Sequence, residues 1–216
     1  MNQCVLVLLT LVLWSSLSFG KKEDNFACSA RSFELSSFEA QPSVISPDGR
    51  KRVQLLKGYT IAVMVGEARL RTLDFKDLNC CIEIGWSPDS NQFFVMYSNS
   101  GGYARYVIYL YTIADSQVSE SSVPKAAFDD FSSRYTCPAR GPNNLFLLGW
   151  TRDSRQVFLV SEVIPAGDCG KDAGRSEGIL FDAYSGNIVR RYGEKQTARI
   201  EKLCGSTSVL PADALK

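Results

Sequence analysis

The amino-acid sequence predicts an all-β fold built from about three antiparallel, four-stranded sheets. The first observation is an internal repeat, in which IGWSPDSNQFFVMY (residues 84–97) is matched by LGWTRDSRQVFLVS (residues 148–161). The second is that β-branched and aromatic residues are dense between turn-forming stretches, as is typical of strands. The third is that helical periodicity is weak.

The first twenty residues are predicted to be a secretory signal and not part of the fold. An apolar run from Cys4 to Trp14 is followed by small residues at Ser18 and Gly20, and then by the charged stretch KKED. The uncharged run is shorter than the about twenty residues that a membrane span needs. No Lys or Arg precedes it, so an uncleaved anchor is the alternative. We therefore predict a periplasmic or secreted protein with no membrane span after cleavage, and an N-terminal segment over residues 21–43.

The first copy of the repeat is the most divergent and begins at Val44 with VISPDGRKRVQLL. Its Pro suits the second position of a turn, and its Asp can bond its own backbone, so the copy reads as strand, turn, strand. Two further strands are predicted in YTIAVMVG (residues 59–66) and ARLRTLDF (residues 68–75).

The second and third copies align closely. The matched pairs are Gly85 with Gly149, Trp86 with Trp150, Asp89 with Asp153, Ser90 with Ser154 and Gln92 with Gln156. The second copy continues through the strand-like YARYVIYLYTIAD (residues 103–115). The third continues through GILFDAYSGNIVRRY (residues 178–192), two short strands joined at YSGN.

These copies resemble the blades of β-propellers related to the Tol-system periplasmic protein TolB, in which an apolar residue, Ser, Pro, Asp and Gly precede a blade strand. The resemblance covers residues 44–193 and implies a propeller-like domain there, followed by a C-terminal tail over residues 194–216. Propellers usually close with four to eight blades. Either residues 26–42 and 194–210 supply a degenerate extra blade, or the sheets form an open stack, or the molecule closes as a homodimer. An ordinary β-sandwich is the alternative fold.

The cysteine content agrees with export. Seven cysteines less Cys4 leave an even number: Cys28, Cys80, Cys81, Cys137, Cys169 and Cys204. We predict disulfides and no metal, because the chain has no histidine and no C-x-x-C spacing. Cys137 precedes the first strand of the third copy and Cys169 follows its second strand, so these two are the best single bridge. Cys28 and Cys204 would tie the termini to the adjacent cysteine pair.

A calcium loop is a further possibility that the spacing disfavours. DCGKDAGRSEG (residues 168–178) contains Asp168, Asp172 and Glu177 among glycines, and calcium prefers oxygen ligands. The third and twelfth positions of this loop are Gly170 and Ile179, so it does not fit the helix-loop-helix pattern. A solvated hairpin loop is therefore the interpretation, and no cofactor is predicted.

Charge and composition disfavour two classes of function. Twenty-four Lys and Arg against 23 Asp and Glu, with no basic run of five or more residues, argue against nucleic-acid binding. The absence of histidine removes the usual Ser/His/Asp and Cys/His arrangements. A carboxylate-dependent glycoside hydrolase stays open. Its candidate residues are Asp129, Asp130, Glu162 and Glu177.

The sequence favours a binding protein over an enzyme. Tyrosine and arginine are enriched at protein interfaces, which makes Tyr103 and Arg105 contact candidates. The long polar segment over residues 116–144 is a second candidate surface and contains Arg134 and Tyr135. We predict a protein partner in the cell envelope. An immunity or inhibitor protein that blocks a toxin or a cell-wall hydrolase, the hydrolase named above, and a structural scaffold are the alternatives.

Overall fold

The computed structural model confirms an all-β fold: three antiparallel sheets pack face to face as an open, propeller-like array. It describes residues 30–34, 37–75, 81–98, 106–135, 137, 143–204, 210 and 215. In chain order the elements are β1 (Ala30–Glu34), α1 (Ser37–Ala40), β2 (Ser43–Ile45), β3 (Lys51–Leu56), β4 (Thr60–Val65), β5 (Ala68–Asp74), β6 (Cys81–Trp86), β7 (Gln92–Ser98), β8 (Tyr106–Ala114), β9 (Gln117–Glu120), α2 (Val123–Ser132), β10 (Asn144–Trp150), β11 (Gln156–Glu162), a 3₁₀ turn (Gly167–Asp172), β12 (Ser176–Asp182), β13 (Ile188–Tyr192) and α3 (Glu194–Cys204).

Each sheet corresponds to one copy of the repeat. Sheet 1 contains β2 to β5 in chain order, and sheet 3 contains β10 to β13. Sheet 2 contains β6 to β9 and a fifth strand, β1, which pairs with β6 from Ala30 opposite Gly85 to Glu34 opposite Cys81. The predicted four-stranded units are therefore present, and one of them gains a strand from the N-terminal segment.

The first turn of each sheet is held by a hydroxyl group. In sheet 2 the Ser87 hydroxyl donates to Asp89 Oδ1 at 2.6 Å and accepts the Gln92 backbone N–H at 2.9 Å. The hydroxyls of Ser46 in sheet 1 and Thr151 in sheet 3 make the same two contacts in their own turns. The repeated Ser/Thr-x-Asp pattern is thus the sequence signature of one turn geometry.

Neighbouring sheets are joined at these turns. The backbone N–H of Asp48 donates to Ser90 Oγ at 3.0 Å, and that of Asp89 donates to Ser154 Oγ at 2.9 Å. Ser90 and Ser154 have φ angles of 63° and 59°, in the left-handed region that favours glycine, and Gly49 (φ 72°) occupies the equivalent place in sheet 1. Serine therefore occupies this strained position because its hydroxyl oxygen accepts a backbone N–H from the preceding sheet.

The two repeated tryptophans also occupy equivalent places. Trp86 donates from Nε1 to the carbonyl oxygen of Val44 in sheet 1, and Trp150 donates to Gln92 Oε1 in sheet 2, each at 3.0 Å. Both rings are buried between their own sheet and the preceding one. The repeated tryptophan is thus explained by the way each sheet packs on the preceding one.

The long polar segment over residues 116–144 is not a simple loop, because it contains β9 and α2. Val123, Ala127 and Phe131 recur every fourth residue of α2 and are buried against the sheets. Pro124 lies in the first turn, where a missing N–H costs no helical hydrogen bond. Sequence reasoning missed this pattern, because it predicted only weak helical periodicity.

The C-terminal segment begins with α3, which covers the outer face of sheet 3. The Gly178 backbone N–H donates to Thr197 Oγ1 of α3 at 2.8 Å, and a Cβ at Gly178 would lie 2.9 Å from that oxygen and 2.3 Å from Cζ of Phe158. Glycine is therefore required for the helix to approach the sheet this closely. Among the described residues, the two flanking segments supply strand β1 and helix α3, so an extra blade formed from them is wrong.

Candidate functional site

The predicted contact residues Arg134 and Tyr135 lie at one end of sheet 3, directly after α2. We call this end the loop rim, because it carries the connection between β11 and β12. Charged side chains from α2, from this connection and from β13 meet there around a tyrosine ring. We define the arginine–tyrosine surface as Asp130, Arg134, Tyr135, Arg175, Glu177 and Arg191.

Asp130 is the centre of the ion-pair network. It accepts from Arg191 Nη2 at 2.6 Å and from Arg134 Nη2 at 2.9 Å. Arg134 also donates to the Glu177 carboxylate, so one guanidinium links two carboxylates. The hydrogen bonds from Arg191, and then those from Arg134, hold the pKa of Asp130 below its usual range against the opposing effect of burial. Asp130 is therefore a fixed anion that positions two arginines.

Tyr135 carries two guanidinium groups on its ring. The Arg175 guanidinium carbon lies 4.1 Å from the ring centroid, and that of Arg134 lies 5.1 Å away. Phe131 packs against the same ring with centroids 5.2 Å apart. Stacking on an aromatic face fixes the guanidinium plane and leaves its N–H edges pointing outward.

Arg175 is the least committed cation of this surface. Its side chain is 46% exposed, and its nearest carboxylate oxygen, from Asp172, lies 3.7 Å away. Arg134 and Arg191, in contrast, each donate close hydrogen bonds to carboxylates. Of the three arginines of this surface, Arg175 is thus the one whose donors are most available to a partner. Sequence reasoning missed it, since its loop was considered only for calcium and for a catalytic carboxylate and was interpreted as a solvated hairpin loop.

A disulfide stabilises this region. Cys137 and Cys169 are bonded, with Cα atoms 4.7 Å apart, which confirms the predicted bridge. The bridge is buried with Phe131, Val163 and Ile164, and Tyr135 packs against this cluster. The connection that bears Arg175 is therefore linked covalently to the segment that follows α2.

The other predicted residues have mixed outcomes. Cys204 is disulfide-bonded, whereas Cys81 begins β6 opposite Glu34. Four of the predicted residues, together with the signal, fall outside the described residues. These are Tyr103, Arg105, Cys28 and Cys80.

The carboxylates considered for hydrolysis are engaged in other contacts. Asp129 pairs with Lys125 within α2, and Asp130 and Glu177 are both held by Arg134. Glu162 accepts from Asn144 Nδ2 at 3.2 Å, and burial raises its pKa. A glycosidase needs an acid and a base that face a common substrate. Asp130 and Glu177 instead act as counter-ions for an arginine.

One metal-ligand grouping occurs among the described residues. Ligand atoms of Cys137, Asp168 and Cys169 lie within 4.8 Å of one another. Both sulfurs are consumed by the disulfide, so this grouping offers one carboxylate. Asp172 and Glu177 of the same loop face Arg175 and Arg134.

Comparison of the chain with models of known protein families gives no match, and comparison with curated proteins gives none either. None of the described helices has the length and apolar character that crossing a membrane requires. The TolB resemblance therefore rests on the sequence motifs and stays a prediction.

Proposed function

We propose that the protein is an exported, non-enzymatic binding protein, a TolB-like propeller module that contacts a protein partner in the cell envelope. The cysteine content and the predicted signal support export. The arginine–tyrosine surface is the contact region that the geometry favours most.

The observation that carries this proposal is the pair of arginine guanidinium groups over the Tyr135 ring. Arginine and tyrosine dominate the energetics of protein interfaces, because each combines a large apolar body with polar edges. Asp130 and Glu177 fix Arg134, while Arg175 keeps its donors available. Side chains that are ordered before binding lose less conformational entropy when a partner docks.

Site-specific photocrosslinking in the producing cells tests the proposal. A photoreactive phenylalanine analogue at Ser133, exposed beside the surface, should crosslink one envelope protein. The matched control places the analogue at Ile45, which is 62% exposed on sheet 1. Arg175→Ala in the Ser133 background should reduce the crosslink about ten-fold or more, as expected for an interface anchor.

Equal crosslinking from Ser133 and Ile45 would contradict the proposal, as would a crosslink at Ser133 that Arg175→Ala leaves unchanged. Arg199→Ala is a second control, because Arg199 is an exposed arginine of α3. This variant should crosslink as the unmodified protein does.

An inhibitor or immunity protein is the second candidate, and the disulfide favours it. Inhibitors of hydrolases gain affinity from loops that are rigid before binding, and Cys137–Cys169 ties the Arg175 loop to the end of α2. Purified protein should then lower the activity of a cell-wall hydrolase, and Arg175→Ala should restore it. A panel of peptidoglycan hydrolases with unchanged activity would remove this candidate.

A further inference from the structure

A groove of about 410 Å³ opens at the end of the strands opposite the loop rim, and it falls within the range of small-molecule sites. In sheet 3 this end is where Gln156 pairs with Asp182, whereas the loop rim is where Glu162 pairs with Ser176. All three sheets contribute to the groove. Its polar or aromatic lining residues include Lys51, Asn91, Asp115, Ser116 and Tyr184.

One wall of the groove is an exposed aromatic ring held in place. Tyr184 is 57% exposed, and its hydroxyl donates to Asp89 Oδ2 at 2.8 Å. Desolvation and the charge of Asp89 raise the pKa of Tyr184 to about 12, so the hydroxyl stays a donor at neutral pH. The bond spans sheets 2 and 3 and fixes the ring at the mouth of the groove.

The groove also contains a cation, the Lys51 ammonium, whose position is fixed by hydrogen bonds. Lys51 Nζ donates to the Ser90 carbonyl oxygen at 2.9 Å and to Asn91 Oδ1 at 3.3 Å. It also lies 3.7 Å from Asp48 Oδ2, so the Lys51 ammonium is ordered and partly neutralised before any ligand enters.

Two strained residues complete the groove. Asp115 and Ser116 form the turn between β8 and β9 with φ angles of 48° and 60°, a region where non-glycine residues are disfavoured. Ser90 and Ser154 share this strain, but each receives a hydrogen bond from a neighbouring sheet. No such bond to the Asp115 or Ser116 side chain exists within the described residues, although glycine would be the relaxed choice. The two-residue connection between β8 and β9 requires positive φ angles at both positions, so Asp and Ser in place of glycine put a carboxylate and a hydroxyl at the groove.

We propose that this groove binds a neutral sugar of one or two rings. The exposed face of Tyr184 would stack on the apolar face of a pyranose. The Asp115 carboxylate and the Ser116 and Lys51 groups would bond its hydroxyls. A neutral, hydroxyl-rich ligand fits because the groove presents a cation and an anion together. A net charge on the ligand would be attracted by one of them and repelled by the other. This site is separate from the arginine–tyrosine surface, so either can fail alone.

Titration of the purified, ¹⁵N-labelled protein tests the proposal, with maltose, cellobiose and chitobiose as neutral probes and acetate and phosphate as charged controls. The backbone amides of Asn91, Asp115 and Ser116 should shift saturably with at least one sugar at millimolar concentration. Tyr184→Ala and Asp115→Asn should each weaken binding about ten-fold or more. Tyr184→Phe keeps the ring and should retain most of the affinity. Tyr59→Phe, at a tyrosine outside the groove, is the matched control.

Ser116→Gly separates binding from folding. It should raise the melting temperature by relieving strain and, at the same time, lower the affinity for the sugar by removing the hydroxyl. The proposal is overturned if none of the three sugars gives a saturable shift. It is also overturned if binding survives both Tyr184→Ala and Asp115→Asn, or if acetate or phosphate binds as well as the sugars do.

Discussion

Two buried serines show how the same side chain can have opposite effects on stability. Ser90 is 1% exposed and its Oγ accepts the Asp48 backbone N–H from sheet 1. Ser161 is fully buried on β11, and its Oγ has no hydrogen-bond partner among the residues that the structure describes. A buried hydroxyl stabilises a fold when it is paired and costs free energy when it is not.

Ser90→Ala should destabilise the protein by about 1–3 kcal/mol, because it leaves the Asp48 N–H without its acceptor while the strained φ angle remains. Ser90→Gly relieves the strain and should be less harmful. The measurement is the free energy of unfolding from urea denaturation. Equal stability of Ser90→Ala and the unmodified protein would show that this bond between sheets contributes nothing.

Ser161→Ala should instead stabilise the protein by about 1 kcal/mol, since it replaces an unpaired buried hydroxyl with an apolar methyl group. The same urea experiment measures this change, with Ser90→Ala as the contrasting variant. A loss of stability would mean that the Ser161 hydroxyl has a partner in solution, such as a bound water.

At the scale of elements, the contact between α3 and sheet 3 contains a half-buried acid. Phe158 and Val160 of β11 pack towards α3, and Glu162 follows them at the end of the same strand. Burial raises the pKa of Glu162. The pKa of Glu201 on α3 is also raised, by desolvation of its carboxyl group and by the charge of Glu162. Because the pKa values of both carboxyls are raised in the folded protein, folding favours the protonated form of each.

The contribution of this pair to stability should therefore be present below the ordinary glutamate pKa of 4.5 and be lost as the pH rises through the higher folded-state value. Glu162→Gln removes one of the two charges. We expect it to be more stable than the unmodified protein at pH 7 and equally stable near pH 4, as measured by urea denaturation with far-UV circular dichroism. Glu120→Gln, at an exposed residue of β9, is the control and should show no such difference.

The element scale also shows where sequence reasoning succeeded and where it failed. The central strands could be predicted because apolar runs such as FFVMY and VFLVS are bounded by turn residues and are buried on both faces. The helix α2 carried a readable signal in Pro124 and in the four-residue spacing of Val123, Ala127 and Phe131. That signal is short and lies in a polar segment, so composition favoured a loop.

At the scale of the molecule, the Cys137–Cys169 bridge closes a loop of 32 residues that includes β10 and β11. Chain-entropy arguments give such a closure about 3–4 kcal/mol of stabilisation. It also restrains the loop rim, where the arginine–tyrosine surface lies.

The double variant Cys137→Ser/Cys169→Ser should therefore lose about 3–4 kcal/mol of unfolding free energy and show a lower melting temperature by calorimetry. Hydrogen exchange should increase first in the Arg175 loop and at the end of α2, and sheet 1 should keep its protection. Uniform loosening of all three sheets, or unchanged stability, would contradict this local role.

The candidate site itself was only partly predictable. Arg134 and Tyr135 were singled out because their segment is long and polar, with no indication of what would meet them. Glu177 comes 43 residues after Arg134, and Arg191 comes 61 residues after Asp130. Neither spacing matches a local motif, since the contacts depend on how α2 packs against sheet 3.

Local patterns in the chain were sufficient for the central strands of each sheet, the hairpin turns, the equivalence of Trp86 and Trp150 and the Cys137–Cys169 bridge. These features repeat along the chain or lie within one hairpin, where backbone geometry and hydrogen bonding act over a few residues. Tertiary packing alone decided where α2 and α3 dock, which arginines meet on Tyr135 and which turns enclose the groove. Those contacts join residues that are distant in the sequence. Burial of apolar surface favours such contacts, but it is non-directional, so no local pattern in the sequence specifies which residues will meet.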